Sequence, residues 1–270
     1  GTPGQAGAKT TIVVAASAPT LFYYCNVHSG MGGQANTNAT AGSSNFDGSI
    51  QTKVKANPTA GFSIVTASPN NNAVSMGHGL NATPSVIISK SRTVQYDWNV
   101  FHTSLGGNEI MRLNTDAIKQ TVSGYWGTIN SSTFSVGSGN NANNSGNMVY
   151  YCFAPVAGYS AFGKYKANNS SDGPFIETGF APAFIMTKRT DNSTAGWEIH
   201  NYRTPGYNPQ SNRLMANETA GEATSNHVDF LSNGFKIRNT FSGMNGGSGN
   251  TYIYMAFAEL PFQSNNGMSQ

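Results

Sequence analysis

The chain has 270 residues, of which 38% are hydrophobic, so it is long enough to bury one or two cores. Charged residues make up only 10%. The formal net charge of +3 comes from basic residues scattered along the chain, which form no stripe that could follow phosphates, so we expect no nucleic-acid partner. No apolar run approaches the ~20 residues of a membrane-spanning helix, so we expect no membrane insertion. Because the sequence begins at Gly1 rather than Met, we also expect either a longer precursor or an excised segment of a longer protein.

Residues 1–31 are predicted to be a leader followed by a strand segment. Glycine at every third position of the leader matches collagen-type spacing, and the alternatives are the end of a fibrous stalk or a flexible leader. After an aromatic strand at residues 21–24, the spacing of Cys25, His28 and Met31 resembles the last-strand copper loop of cupredoxins. That site needs a second histidine from an earlier strand, and no histidine precedes His28. We therefore predict no metal and interpret the segment as a relic strand or a docking segment.

Residues 32–60 are rich in Gly, Asn, Ser and Thr and are predicted to form a linker or docking segment. From residue 61 onward, short β-branched and aromatic runs alternate with Asp-Gly and Asn-Gly turn signals, which predicts an all-β fold. Residues 264–270 are a polar tail. The predicted strands are residues 62–66, 73–76, 86–89, 98–101, 110–113, 134–136, 148–153, 162–165, 175–178, 184–187, 197–200, 228–231, 235–237 and 252–257.

The chain carries three sequence landmarks twice, about 100 residues apart. A period this long exceeds that of a solenoid repeat, so it predicts two homologous β-sandwich or jelly-roll-like units in tandem, residues 61–160 and 161–263. No catalytic constellation recurs in both copies, which favours a scaffold or a binding surface. The matching landmarks are residues 79–92 with 179–190, residues 98–102 with 197–200, and residues 145–154 with 248–258.

Long and specific strings in the two copies carry a family resemblance, and they lie at residues 45–51, 61–65, 77–80, 154–160, 171–175, 229–236 and 251–259. With these strings the chain resembles a repeat-domain family of virion and tail-fibre proteins in tailed bacteriophages, common in marine phages. The resemblance implies a virion structural protein of a tail fibre, spike or decoration, acting in assembly and in host-surface attachment. It implies other virion proteins and a host-cell glycan as partners, no cofactor and no catalytic residue.

The low charge also bears on oligomeric state. A surface with few charges gives little self-repulsion between copies, and the leader, if it is a stalk end, requires three chains. We therefore expect a homo-oligomer, with a trimer as the specific prediction. In such an assembly the linker at residues 32–60 should lie along a neighbouring subunit, because a long segment without a core of its own is otherwise disordered.

Exposed aromatic residues are the predicted binding feature. Tyr202 and Tyr207 flank a Pro-Gly turn, and Asn208 follows directly. Aromatic faces and amide groups suit stacking and hydrogen bonding to sugars, so these three residues are predicted to contact a glycan. The alternative is a loop that packs on a neighbouring subunit. A carbohydrate-binding adhesin module is thus the alternative function, and a copper-binding redox protein is the third hypothesis.

Three further patterns resemble catalytic motifs, and we interpret each as structural. Residues 158–165 nearly form a phosphate-binding loop, but they end in tyrosine where Ser or Thr must hold Mg²⁺. Glu218 and Glu222 lie in a polar stretch and are interpreted as solvated rather than as a glycosidase pair. His102 and His200 follow the two repeated tryptophans, and we predict that they occupy matching positions and pack at strand ends. We therefore expect no enzymatic activity.

Overall fold

The computed structural model of the protein describes residues 21–24, 32–35, 42–143, 146–192, 195–204 and 206–260. The regular elements in these residues are β-strands without any helix, which confirms the predicted all-β fold. It follows that the described part of the chain holds no helix able to cross a membrane. The chain divides into two compact units, residues 1–44 and residues 45–270.

The first unit contains a small antiparallel hairpin in which β1 (Leu21–Tyr24) pairs with β2 (Gly32–Ala35). β1 coincides with the aromatic strand predicted at those positions. Cys25, His28 and Met31 lie outside the described residues, so the prediction made for them stays a prediction. The next strand, β3 (Ser43–Asn45), spans the boundary between the two units.

The second unit holds the remaining strands in two successive halves. The strands of the first half are β4 (Thr52–Asn57), β5 (Phe62–Ala67), β6 (Val74–Gly77), β7 (Val86–Ser91), β8 (Asn99–His102), β9 (Glu109–Arg112), β10 (Gln120–Thr121), β11 (Trp126–Ile129), β12 (Thr133–Val136) and β13 (Met148–Phe153). The strands of the second half are β14 (Ser160–Lys166), β15 (Phe175–Glu177), β16 (Pro182–Arg189), β17 (Trp197–Asn201), β18 (Gln210–Met215), β19 (Ala223–Leu231), β20 (Gly234–Ile237) and β21 (Thr251–Ala258).

The first half is a sandwich of two antiparallel sheets. One runs β10-β9-β8-β7-β13-β5-β4, and the other is the three-stranded sheet β11-β12-β6. Because successive side chains of a strand point to opposite faces, every second residue points into the space between the two sheets. On β13, Tyr150 and Cys152 point into the core shared with the three-stranded sheet, and the Tyr150 hydroxyl donates to the carbonyl of Ala142 at 2.7 Å. Tyr151 and Phe153 alternate with them and point to the opposite face.

The second half is one antiparallel sheet with the order β14-β21-β16-β17-β18-β19-β20-β15, which curls around its own core. In the second half β18 pairs with β19, so the strands that correspond to the two separate sheets of the first half form one continuous sheet. β21 alternates in the same way as β13. Tyr252 and Tyr254 point into the internal core, whereas Ile253 and Met255 point away from it.

The two halves share one strand order. The order β5-β13-β7-β8-β9 in the first half corresponds to β14-β21-β16-β17-β18, and β11-β12-β6 corresponds to β19-β20-β15. Register extends the correspondence to single residues. Ile88 pairs with Tyr151 and Met186 pairs with Met255, so these pairs hold equivalent places. The common topology agrees with the sequence repeat, while descent of both halves from one ancestral unit stays a prediction.

The outer faces of β13 and β21 pack on each other within one compact unit, and we name this contact between the halves the apolar junction. Val86, Ile88 and Val100 of the first half meet Met186 and Met255 of the second in a buried cluster. A row of phenylalanine rings extends this cluster, with centroid separations of 5.8–6.2 Å. Burial of this apolar face fixes one half against the other.

One predicted segment differs from the structure. The predicted linker, residues 32–60, contains β4, which pairs with β5 and buries Val54 in the core. Its sequence alternates apolar residues with Lys53 and Lys55, as a half-buried strand requires. The predicted division between the repeats at residues 160/161 lies at the start of β14, where the second half begins, and the assignment of the halves as separate domains stays a prediction.

Candidate functional site

The loop predicted to bind a glycan follows β17, and two side-chain amides fix it. Asn208 donates through Nδ2 to the carbonyl of Phe230 at 2.7 Å and accepts the Phe230 N–H at 3.0 Å. Gln210 Nε2 donates to the carbonyls of Tyr202 at 3.3 Å and of Tyr207 at 3.0 Å. Both ends of the Asn208 amide therefore bind the backbone of Phe230 on β19, although Asn208 itself is exposed.

The two tyrosines of this loop differ in their surroundings. The Tyr207 side chain is 66% exposed, whereas Tyr202 is half-buried against the internal core of the second half. The Arg203 guanidinium lies 5.4 Å from the centre of the Tyr202 ring, a cation–π contact. The structure thus brings Tyr202 and Tyr207 to one loop, with Tyr207 as its exposed aromatic face.

All four histidines in the described residues are buried, and His102 shows their role. The His102 ring lies at the junction, where Nε2 is 3.2 Å from the Tyr254 carbonyl and Nδ1 accepts the Ser104 N–H at 3.1 Å. Burial lowers the pKa of His102 to about 4, so the ring is neutral near pH 7. A neutral ring bonded on both nitrogens joins the two halves, so it acts as a packing group.

The prediction that His102 and His200 occupy matching positions is wrong. Val100 pairs with Ile88 and Ile199 pairs with Met186, which makes Phe101 the counterpart of His200. A shift of one residue reverses the face of a strand, so His200 points into the internal core of the second half instead of the junction.

A buried polar cluster surrounds His200, and sequence reasoning missed it. The His200 and His227 rings lie 5.3 Å apart between centroids. Beside them Arg213 Nη1 pairs with Glu198 Oε2 at 2.5 Å, and the guanidinium lies 4.5 Å from the Phe241 ring centre. We name Glu198, His200, Arg213 and His227 the polar core cluster. It connects β17, β18 and β19, so it holds the curled sheet together.

Electrostatics keep the polar core cluster uncharged at its histidines. Burial, with smaller effects of His227 and Arg213, lowers the pKa of His200 to about 3. Burial lowers the pKa of His227 to about 4, and Arg213 acts in the same direction. Burial also raises the pKa of Glu198, against the opposing effect of its ion pair with Arg213. Within the described residues, no group of three or more His, Cys, Asp or Glu side chains could hold a metal ion.

Each half contains a lysine beside a tryptophan, at the β7–β8 connection in the first half and at the β16–β17 connection in the second. In the second half Lys188 Nζ donates to the carbonyl of Ala195 at 2.7 Å, and the backbone N–H of Trp197 donates to Asn217 Oδ1 at 2.7 Å. Segments of the first half cover this pair, which is fully buried. Lys188 Nζ donates to the Asp116 carbonyl at 3.1 Å, and Trp197 Nε1 donates to the Arg112 carbonyl at 2.8 Å. We name it the closed Lys–Trp site.

The first half repeats these contacts at Lys90 and Trp98. Lys90 Nζ donates to the carbonyl of Tyr96, and the backbone N–H of Trp98 donates to Asn114 Oδ1 at 2.9 Å. Trp98 is only partly buried, and the pair borders a surface cleft of about 350 Å³. We name it the open Lys–Trp site. The repeated tryptophans had been visible in the sequence, but the cleft depends on which copy the other half covers.

Comparison with known families identifies the chain over most of its length. The profile of a family described as a domain of unknown function, DUF7483, matches residues 35–261. The chain belongs to the DUF7483 family. No curated protein and no solved structure matches it. The DUF7483 region includes both halves of the second unit, both Lys–Trp sites and the polar core cluster.

The remaining candidate residues take structural or exposed positions in the DUF7483 domain. Glu218 and Glu222 lie in the exposed connection between β18 and β19, where Glu222 Oε2 accepts the Asn212 Nδ2–H at 2.8 Å. Residues 158–165 lead into the edge strand β14, and Tyr165 stacks in the core on Tyr252 at 5.1 Å. These positions agree with the structural interpretation of both patterns.

Proposed function

We propose that this DUF7483 protein is a non-catalytic structural protein of a bacteriophage virion. It belongs to a tail fibre, spike or decoration and acts in assembly and host-surface attachment. The family resemblance of the sequence strings supports the phage assignment. The structural observation that carries the non-catalytic role is the placement of reactive side chains. His102, His200 and His227 are buried as neutral packing groups, and burial raises the pKa of the free Cys152 thiol to about 12.

The virion assignment can be tested directly on particles. Antibodies raised against the chain should label particles that assemble from the genome encoding it, as seen by immunogold electron microscopy. Particles labelled on an appendage or on the capsid surface support the assignment. Intact particles without label, in a preparation where antibodies to a capsid protein do label, would contradict it.

Assembly with copies of itself is the second part of this proposal. A low-charge surface permits close approach of copies, and closed symmetric oligomers are the common solution for soluble assemblies. Light scattering of the full chain should give the mass of a trimer. A matched deletion of residues 1–44 tests the role of the first unit, since it leaves β4 intact. A monodisperse monomer at micromolar concentration would count against the assembly role.

A carbohydrate-binding adhesin is the second candidate function. The observation that favours it is the exposed ring of Tyr207 beside the Tyr202 and Arg203 pair. Rigid aromatic faces next to hydrogen-bonding groups suit sugar recognition. A glycan array with the wild-type chain and Tyr207→Ala tests it. Binding by a monomeric chain that Tyr207→Ala abolishes favours the adhesin, whereas retained binding in the variant rules out this loop.

A further inference from the structure

The open Lys–Trp site is a preorganised cleft of about 350 Å³, lined by Lys90, Gln95, Tyr96, Asp97, Trp98 and Asn114. This volume lies within the range of small-molecule sites. Trp98 stacks on Tyr151 at 6.3 Å, and Lys90 Nζ lies 5.9 Å from the Trp98 ring centre. These contacts fix the indole before any ligand arrives, which lowers the entropy cost of binding.

Asp97 is held in place as a hydrogen-bond acceptor in this cleft. Asn114 Nδ2 donates to Asp97 Oδ1 at 2.9 Å, and Arg112 Nε lies 3.0 Å from Asp97 Oδ2. The same Asn114 side chain accepts the backbone N–H of Trp98. The carboxylate, the amide and the indole therefore form one connected frame, and Tyr96, 38% exposed, adds an aromatic face at its rim.

The two Lys–Trp sites differ at the two residues directly before the tryptophan. Tyr96 and Asp97 precede the tryptophan of the open site, whereas Ala195 and Gly196 precede that of the closed site. A Cβ at Gly196 would lie 2.8 Å from Met215 Sδ and 2.8 Å from Asn217 Oδ1, so a side chain there would require both of these residues of the second half to shift. The uncovered copy instead carries an aromatic ring and a carboxylate.

The closed site also shows which groups this motif binds. Its ammonium and indole N–H donate to two backbone carbonyls from the first half. In the open site the indole N–H of Trp98 has no acceptor among the described residues. A ligand that brings oxygen acceptors for these donors, hydroxyl donors for Asp97 and a C–H face for Tyr96 would satisfy the whole cleft.

We propose that the open Lys–Trp site binds a pyranose unit of a surface glycan. A pyranose ring carries neighbouring hydroxyls that both donate and accept, together with an apolar C–H face that stacks on aromatic rings. The proposal deepens the host-attachment part of the proposed function and rests on it. Its failure is distinguishable, because immunogold labelling tests the virion assignment whether or not a sugar binds.

Tryptophan fluorescence reports on this cleft selectively. The chain has three tryptophans, and Trp126 and Trp197 are each 2% exposed, so a bound sugar should change the emission of Trp98 alone. The full chain is titrated separately with glucose, galactose, mannose, rhamnose, N-acetylglucosamine and galacturonic acid. We expect a blue shift with at least one sugar and a dissociation constant on the order of millimolar, as suits a ligand of one ring.

Variants assign the signal to the cleft. Tyr96→Ala and Asp97→Asn should each weaken binding by about tenfold, with unchanged circular dichroism and thermal midpoint. Phe46→Ala, at an aromatic residue that is 74% exposed and lies outside the cleft lining, is the matched control and should leave the titration unchanged. Binding lost in Tyr207→Ala but kept in Tyr96→Ala would overturn the proposal, as would the absence of any shift across the sugar panel.

A peptide of residues 112–119 is the final ligand to be titrated, because this segment covers the closed site. A fluorescence shift with that peptide and with none of the sugars would assign the cleft to polypeptide and overturn the sugar proposal. A sugar response that the peptide does not compete away, together with the Tyr96→Ala loss, supports it.

Discussion

Replacing Trp197 by alanine should weaken the packing between the two halves of the second unit and lower the free energy of unfolding. The side chain is 2% exposed in the junction cluster, and its indole N–H bonds the Arg112 carbonyl at 2.8 Å. Truncating a buried Trp to Ala costs about 3–5 kcal/mol, and loss of the hydrogen bond that leaves a buried carbonyl unpaired adds about 1 kcal/mol. The free energy of unfolding should therefore fall by ~4–6 kcal/mol.

Trp98 is the matched control, because it holds the equivalent place but is only partly buried. Trp98→Ala should lower the free energy of unfolding by only ~1–2 kcal/mol, in proportion to the smaller area it buries. For a unit of this size the thermal midpoint should fall by ~10–20 °C for Trp197→Ala and by less than ~8 °C for Trp98→Ala.

Calorimetry and urea unfolding followed by circular dichroism measure both variants. If Trp197→Ala does not fold, Trp197→Phe keeps most of the apolar area and removes the N–H, and it should lose about 1–2 kcal/mol. Equal losses for the alanine variants at positions 197 and 98 would refute the argument that the junction covers one tryptophan and leaves the other open.

Three further predictions concern buried polar groups. Because burial lowers the pKa of His200 from 6.5 to about 3, its contribution to stability is complete above pH 6.5 and is lost as the pH falls; His200→Gln should flatten the stability profile between pH 6.5 and about 5 by ~1.4 kcal/mol per pH unit, and an unchanged slope in urea titrations would contradict this. Asn208→Ala should lower the free energy of unfolding by about 1–3 kcal/mol, because both ends of its amide bind β19, whereas Tyr207→Ala should change it by less than ~0.5 kcal/mol; the reverse order would count against the bonding described for this loop. In a Cys25→Ser variant the thiol of Cys152, fully buried and with its pKa raised to about 12, should react with a disulfide reagent only after unfolding, and fast labelling of the native protein would show that the core opens.

The sequence identified most strands because their signal is local. The apolar and aromatic runs at residues 62–66, 86–89 and 148–153 lie within β5, β7 and β13. β18 was missed, since its residues are mostly polar and Arg213 faces a buried carboxylate that no local pattern reveals. β4 was missed for another reason. Its alternation was present in the sequence, but the surrounding Gly, Asn and Ser favoured a linker.

The site could be predicted only in part from the sequence. Repetition marked Trp98 and Trp197 as equivalent, and the register agrees, since Trp197 pairs with Lys188 and Trp98 directly precedes Asn99, which pairs with Ser89. Which of the two Lys–Trp sites is exposed depends on how the two halves pack on each other. Packing between segments that are distant in sequence produces no periodic pattern of residues in either segment. The placement of His102 failed for a related reason, because a single extra residue before the histidine reverses the face it occupies.

The two Lys–Trp sites explain why a repeated motif need not have a repeated role. Face-to-face packing of equivalent sheets buries one lysine and one tryptophan, and their donors then require acceptors from the other half. Arg112 and Asp116 supply those acceptors as backbone carbonyls, so the closed site connects the two halves through hydrogen bonds. Gly196, directly before Trp197, preserves the contacts within that site, since a Cβ there would lie 2.8 Å from Asn217 Oδ1, which accepts the Trp197 backbone N–H. In the open copy Asp97 occupies the equivalent position, and Asn114 binds both its carboxylate and the backbone N–H of Trp98, so a side chain fits there without loss of these contacts.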